Sequence, residues 1–199
     1  MSVGDVNSAE RGSGARYNSN KTRLDLIPVE TLARFWSRVA AHHARGDAYQ
    51  EMLSALAALE RGRYETFRAV FPSLAGYLDV AAEVFDYGCK KYAAWNWAKG
   101  MAWSIPIGCA LRHIQADLYG EDNDPESGLP HIGHALCNII MLDHFIYNFS
   151  EGNDCPPRVA FAQPTVSPAV AKPSNEWADK SDYDAALNIR TWEEDCDGI

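Results

Sequence analysis

The chain is short of positive charge. Its 199 residues carry 18 Lys and Arg against 27 Asp and Glu, a formal net charge of -9. Non-specific nucleic-acid binding rests on a basic surface that neutralises phosphates, so that class is disfavoured. A nucleotide substrate is still allowed, because bound divalent ions reverse the local field. Cysteines are few and odd in number, five in all, and no CxxC pair occurs. Free, mostly buried thiols in a reducing compartment fit that pattern. Long apolar runs are also lacking. The longest, residues 135–149, is interrupted by Asn138, Asp143 and His144, so it reads as a buried helix and not a membrane span. "MSVGDVNSAERGSGARYNSN" at the start has no apolar segment, which predicts no signal peptide and a cytoplasmic protein. Neither strand-like alternation nor an internal repeat stands out.

What is present is helical spacing. Hydrophobic residues make up 47% and charged residues 23% of the chain, enough for one sizeable core. Pro28 opens a first helix with Leu32, Phe35, Trp36 and Val39 at helical intervals, closed by "RGD" at 45–47. "AYQEMLSALAALERG" reads as a second helix. Ser73 is expected to cap a third, 74–92, weakened by Gly76 and Gly88. An aromatic loop, "AAWNWAKGMAW", follows. Ser104 is expected to cap a helix running to Gly120, and Pro130 opens a long helix to about Phe149. These elements predict an all-α protein, a compact helical bundle with irregular ends. The expected division is a flexible arm at 1–20, a helical domain at 21–150, and a Pro-rich tail at 151–199 with a short helix near 182–189.

Ionisable residues crowd one stretch, "GEDNDPESGLPHIGHALCN" at 120–138. On a helix His131, His134 and Asn138 share one face, amid otherwise apolar neighbours. A buried polar group without a partner costs roughly 1–3 kcal/mol, so this row needs partners such as a metal or a phosphate. The preceding helix offers His113 and Asp117, four apart, with Arg112 beside them. If the acidic loop folds the two helices antiparallel, His113, Asp117, Glu121, Asp122, Asp124, Glu126, His131 and His134 converge at one end of the bundle. Clustered carboxylates repel one another, and a divalent ion relieves that. Oxygen ligands suit Mg²⁺ or Mn²⁺; added imidazoles shift the choice toward Mn²⁺, Co²⁺ or Zn²⁺. The loop is not an EF-hand, because Gly128 misses the sixth position and Gly133 takes the place of the bidentate Glu. Lys90 and Lys91, with Tyr92, Asn96 and Trp97, are candidates for phosphate charge and for stacking on a base. Lys21 and Arg23 add a basic segment.

The motifs "RYNSNKTRLDLIP", "YGCKKYAAWNWAKG" and "LRHIQADLYGEDNDPESGLPHIGHALCN" together resemble the phage dATP/dGTP diphosphohydrolase family, which is MazZ-like and related in role to the all-α MazG nucleotide pyrophosphohydrolases. The similarity spans about 16 to 150, with a stretch near 40–75 that looks like an insertion. It implies hydrolysis of a purine deoxynucleoside triphosphate, chiefly dGTP, to the monophosphate and pyrophosphate, with a divalent metal. In phages that replace adenine with 2-aminoadenine, the dGMP so formed feeds the modified nucleotide. MazG-like bundles usually assemble, which implies a homo-oligomer. The MazG pattern of ExxE followed by ExxD does not occur here, and His113/Asp117 and His131/His134 occupy comparable places.

The expected metal ligands are therefore His113, Asp117, Glu121, Asp122, His131 and His134. Asp122 or Glu126 is expected to take a proton from the attacking water. Lys21, Arg23, Lys90, Lys91 and Arg112 are expected to hold phosphate, and Tyr92, Asn96, Trp97 and Asn138 the nucleoside. Two other classes fit parts of the pattern. An HD-type metal phosphohydrolase would release triphosphate, although the only adjacent pair, Asp143-His144, is in reversed order. An acidic helical binding protein would lack catalysis altogether.

Overall fold

Pro28 holds an extended backbone ahead of the first apolar stripe, and helix α1 (Val29–Ala41) begins directly after it. Leu32, Trp36 and Ala40, spaced by four, form its buried face, while Phe35 is 77% exposed. The computed structural model describes residues 7–16 and 21–155. Helix α2 (Gly46–Glu60) folds back on α1, and Gly46 is needed there: a Cβ would lie 1.7 Å from the Ala40 carbonyl oxygen.

Two short helices, α3 (Tyr64–Arg68) and α4 (Phe71–Leu74), and a 3₁₀ turn at Ala75–Tyr77 lead into α5 (Leu78–Tyr92). The single helix expected from residue 74 is thus broken. Ser73 lies inside α4 instead of capping α5, and its hydroxyl donates back to the Val70 carbonyl at 2.6 Å.

Helices α6 (Ser104–Leu118) and α7 (His131–Asn148) form the central hairpin. Ser104 is the first residue of α6 and not its cap. The Asp154 carboxylate serves instead, accepting from the Ser104 backbone N–H at 2.7 Å and from its hydroxyl at 2.6 Å. Gly120, at φ 95°, ends the helix in the left-handed region. Trp103, Tyr49, Phe67 and Phe145 are among the large side chains fully buried around the hairpin. Helix α5 packs on α7 and approaches it closely at Gly133, where a Cβ would lie 2.5 Å from Val80 Cγ1.

The fold is an all-α bundle. Among the described residues the only β feature is an isolated bridge between Asn123 and Pro130. No described helix is long and apolar enough to cross a membrane. Residues 7–16, expected within a flexible arm, lie along the 3₁₀ turn Asn96–Lys99 and its exit. Gly12 N–H donates to the Lys99 carbonyl at 2.7 Å and Gly14 N–H to the Gly100 carbonyl at 2.9 Å. Most of the expected tail, including the short helix near 182–189, lies outside the described residues.

Candidate functional site

The α6–α7 hairpin brings three imidazoles together. His113 Nδ1 lies 2.8 Å from His131 Nδ1, one donating and one accepting, and the His113 ring stacks on His134 with centroids 4.4 Å apart. The connecting loop folds back over them. Its Asn123–Pro130 bridge closes the turn, and His131 N–H donates to the Asp122 carbonyl at 3.1 Å. Asp124 is held facing inward, because its Oδ2 accepts from the Ser127 N–H at 3.0 Å and from the Ser127 hydroxyl at 2.9 Å. The Ser127 hydroxyl also lies 2.8 Å from His134 Nε2.

Ligand atoms of His113, Asp124 and His131 all fall within 4.8 Å of one another. His131 is 3% exposed and its Nε2 has no hydrogen-bond partner; the nearest carboxylate oxygen, from Glu121, is 3.8 Å away. A buried ring nitrogen without a partner, beside a second imidazole and a carboxylate, fits a divalent ion. The mixed nitrogen and oxygen set suits Mn²⁺, Co²⁺ or Zn²⁺, with Mg²⁺ favoured only if water or phosphate completes the shell.

Burial, followed by repulsion from its imidazole neighbours, holds His113 well below the ordinary histidine range. Burial also lowers His134, to about 4. Both are therefore neutral at pH 7, the form that can ligate a metal. The unfolded chain takes up these protons near 6.5, whereas native His134 does so only near 4. Stability from this pair is fully present above pH 6.5 and declines as pH falls from there, by up to about 1.4 kcal/mol per pH unit for each group. The midpoint of urea unfolding should fall between pH 6.5 and 4, and His134→Gln should flatten that dependence. A flat profile in the native chain would contradict the burial assigned to these rings.

The imidazoles open onto a cavity of about 340 Å³. Its polar lining includes Glu121, Asp124, Glu126, Lys21, Lys91 and Arg112, and its apolar and aromatic lining includes Val84, Phe85, Tyr92, Trp97, Cys137 and Met141. Trp97 is braced by Phe85, at 5.3 Å between centroids, and by His144, at 5.1 Å. Asn96 is 4% exposed and also lines the wall. Lys91 is ion-paired with Glu126, whose carboxyl that bond lowers below its ordinary value.

Other expected site residues are elsewhere. Asp117 is 0% exposed and lies outside the cavity lining, because α6 presents it to α2. There it accepts from Arg45 Nη1 at 2.9 Å and from the Tyr49 hydroxyl. Asp122 is also outside the lining, 3.4 Å from the same Arg45 nitrogen. Asn138 is buried behind His134, donating to the His134 carbonyl at 2.7 Å, and does not reach the cavity. Lys90 pairs with Asp86 at 2.6 Å on a shallow groove outside it. Arg23 is engaged by Asp25, at 2.6 Å.

The expected ligand set left out Asp124, although it was placed among the converging loop carboxylates and the spacing Asp124-x-x-Ser127 is a recognisable turn signal. Sequence reading gave no role to Arg16, whose guanidinium lines the cavity, or to Arg45, whose partner is 72 residues away. No local pattern announces either contact.

No curated protein and no solved structure matches the chain. A family model does, the dATP/dGTP diphosphohydrolase N-terminal family, over residues 54–155. That match takes in part of the stretch expected as an insertion and all of α5, α6 and α7. With the imidazole–carboxylate group and most of its cavity inside the matched segment, just over half of the 199 residues, the chain belongs to the dATP/dGTP diphosphohydrolase family, an enzyme that hydrolyses purine deoxynucleoside triphosphates.

Proposed function

We propose that the enzyme cleaves dGTP or dATP between the α- and β-phosphates, releasing the monophosphate and pyrophosphate, with a divalent ion held by His113, Asp124 and His131. The unpartnered Nε2 of buried His131 carries this reading, because hydrolysis without a cation would leave that nitrogen orphaned at the centre of the site. When bound, the ion supplies positive charge at the phosphoryl oxygens and acidifies nearby water.

The chain's own residues do the rest. Lys21, Lys91 and Arg112 receive the charge of the phosphates and of departing pyrophosphate. Glu126 fixes Lys91, and the same bond makes Glu126 a weaker base. Glu121, half-exposed at the mouth and 3.8 Å from His131 Nε2, is better suited to take the proton from the water that attacks the α-phosphorus. Asp122, which was the other candidate, is occupied by Arg45. Tyr92, Asn96 and Trp97 hold the nucleoside in the aromatic part of the cavity. If the chain comes from a phage that uses 2-aminoadenine, its product dGMP is the precursor that synthesis consumes.

Chromatography of products tests this. With dGTP and Mn²⁺, Mg²⁺ or Co²⁺ the expected products are dGMP and pyrophosphate, and chelation should abolish turnover. Deoxyguanosine and triphosphate would instead assign the site to HD-type chemistry.

A further inference from the structure

The chain ahead of α1 is fastened to the cavity wall at several points. Arg11 is ion-paired with Glu151, and the Gly12 and Gly14 N–H groups donate to the Lys99 and Gly100 carbonyls. Gly14 has no room for a side chain, since a Cβ would lie 2.6 Å from the Gly100 carbonyl oxygen. Asn96 Nδ2 donates to the Ala15 carbonyl at 3.3 Å, and Arg112 Nη1 to the Thr22 carbonyl at 2.9 Å. These contacts bring Arg16 and Lys21 to the cavity lining. The family match begins at residue 54, so both cations come from ahead of it.

Arg16 and Arg112 converge there on one atom. Arg16 Nε lies 3.4 Å and Arg112 Nη2 3.1 Å from Cys109 Sγ, and Arg16 Nη1 is 3.8 Å from Met141 Sδ. Sulfur is a weak acceptor, a poor match for two guanidinium groups. Among the described residues no carboxylate forms an ion pair with Arg16, whereas Arg11, Arg23, Arg45 and Arg68 each have one. Its charge also reaches His113 and His134, whose protonation it opposes. Two guanidinium forks side by side, close to imidazoles that can hold a cation, match the oxygens of a phosphate chain.

We propose that Arg16 is a phosphate-binding residue of the active site, delivered by the arm to work beside Arg112, and that it holds the two phosphates that leave as pyrophosphate. Water attacks the α-phosphorus, the bond from that phosphorus to the bridging oxygen breaks, and its electron pair stays on the pyrophosphate. Arg16 donates to the oxygens on which that charge builds. The proposal rests on the hydrolysis reading above and adds a residue that the arm contributes to it.

Titration calorimetry with inorganic pyrophosphate and Mg²⁺ reads this contact without turnover. The native chain should bind pyrophosphate, and Arg16→Met should weaken it about 10-fold or more, the effect of losing a charge-assisted hydrogen bond. Arg16→Lys, which keeps the charge and loses the fork, should weaken it less. Gly14→Val leaves Arg16 in the chain but unseats the arm, and should act in the same direction as Arg16→Met. Deoxyguanosine, which has no phosphate, should bind the native chain and all three variants within about threefold by NMR titration, which also shows that the cavity still folds. Unchanged pyrophosphate affinity in Arg16→Met would overturn the proposal, and so would a native chain that does not bind pyrophosphate. Equal loss of deoxyguanosine and pyrophosphate would overturn it too, by making Arg16 a structural support. If dGTP gives deoxyguanosine and triphosphate while Arg16→Met still weakens pyrophosphate, the functional reading fails and phosphate binding by Arg16 stands. If dGTP gives dGMP and pyrophosphate while the variants bind pyrophosphate like the native chain, the arginine assignment alone fails.

Discussion

His131→Ala should lower kcat/KM for dGTP by on the order of a thousandfold, with little change in far-UV circular dichroism. His131 is the most buried member of the imidazole group, and its Nε2 has no other partner to satisfy. Its Nδ1 contact also orients His113, so one substitution removes a candidate ligand and loosens another. Loss of Mn²⁺ binding by calorimetry should accompany the loss of rate. Asp124→Ala should act in the same direction, because Ser127, which also contacts His134, loses its carboxylate partner as well. Turnover within tenfold of native in both variants would mean that these side chains do not hold the ion. That threshold is the lower edge of the effect expected even of a supporting contact, which is roughly 10- to 100-fold.

Arg45→Ala should destabilise the fold by roughly 3 kcal/mol, read from denaturant unfolding. Asp117 is fully buried, and among the described residues Arg45 is its only cation within 3.5 Å; His43 Nε2 is 4.0 Å away. Removing the guanidinium leaves a carboxylate in the core with only the Tyr49 hydroxyl for support. Burial and that same contact raise the Tyr49 hydroxyl far above its ordinary value, so it stays a neutral donor to the carboxylate. Replacing both members, Arg45→Met with Asp117→Leu, should recover much of the loss, because a buried pair contributes little net stability once both charges are gone. An Arg45→Ala cost under about 1 kcal/mol would place this contact among ordinary surface pairs. The substitution should also reduce turnover. Arg45 reaches Asp122, and the Asp122 carbonyl accepts from the His131 N–H at the start of α7. The ion pair therefore ties α2 and α6 to the loop that carries Asp124 and Glu121.

Much of this molecule was legible in one dimension. Apolar residues three and four apart located α1, α2, α6 and α7, because a helix face is a property of nearby residues. Pro130 before a run of Ile, Leu and Ala marked the start of α7, and Gly120 the end of α6. The break ahead of α5 was not legible, since Ser73 as a cap and Ser73 bonded back to Val70 leave the same local signature. The hairpin does bring the two histidines one turn apart against a third on the neighbouring helix, as their spacing suggests.

Helical arithmetic could not choose between Asp117 and Asp124. Both lie close in sequence to His113 and His131, and the four-residue spacing favoured Asp117. The packing of α2 against α6 captured Asp117 with Arg45 and Tyr49, which left the inward-turned Asp124 to face the imidazoles. The amino-acid order alone determined that this chain would be helical, that one hairpin would carry histidines and acids at its turn, and that aromatic and amide side chains would follow the Lys90-Lys91 pair. Which acid meets the imidazoles, and that Arg16 and Asn96 share one cavity wall, only the tertiary structure decided. Local spacing governs which groups lie on one face of a helix. Which face is buried, and against which charge, depends on elements brought together from 70 to 90 residues away.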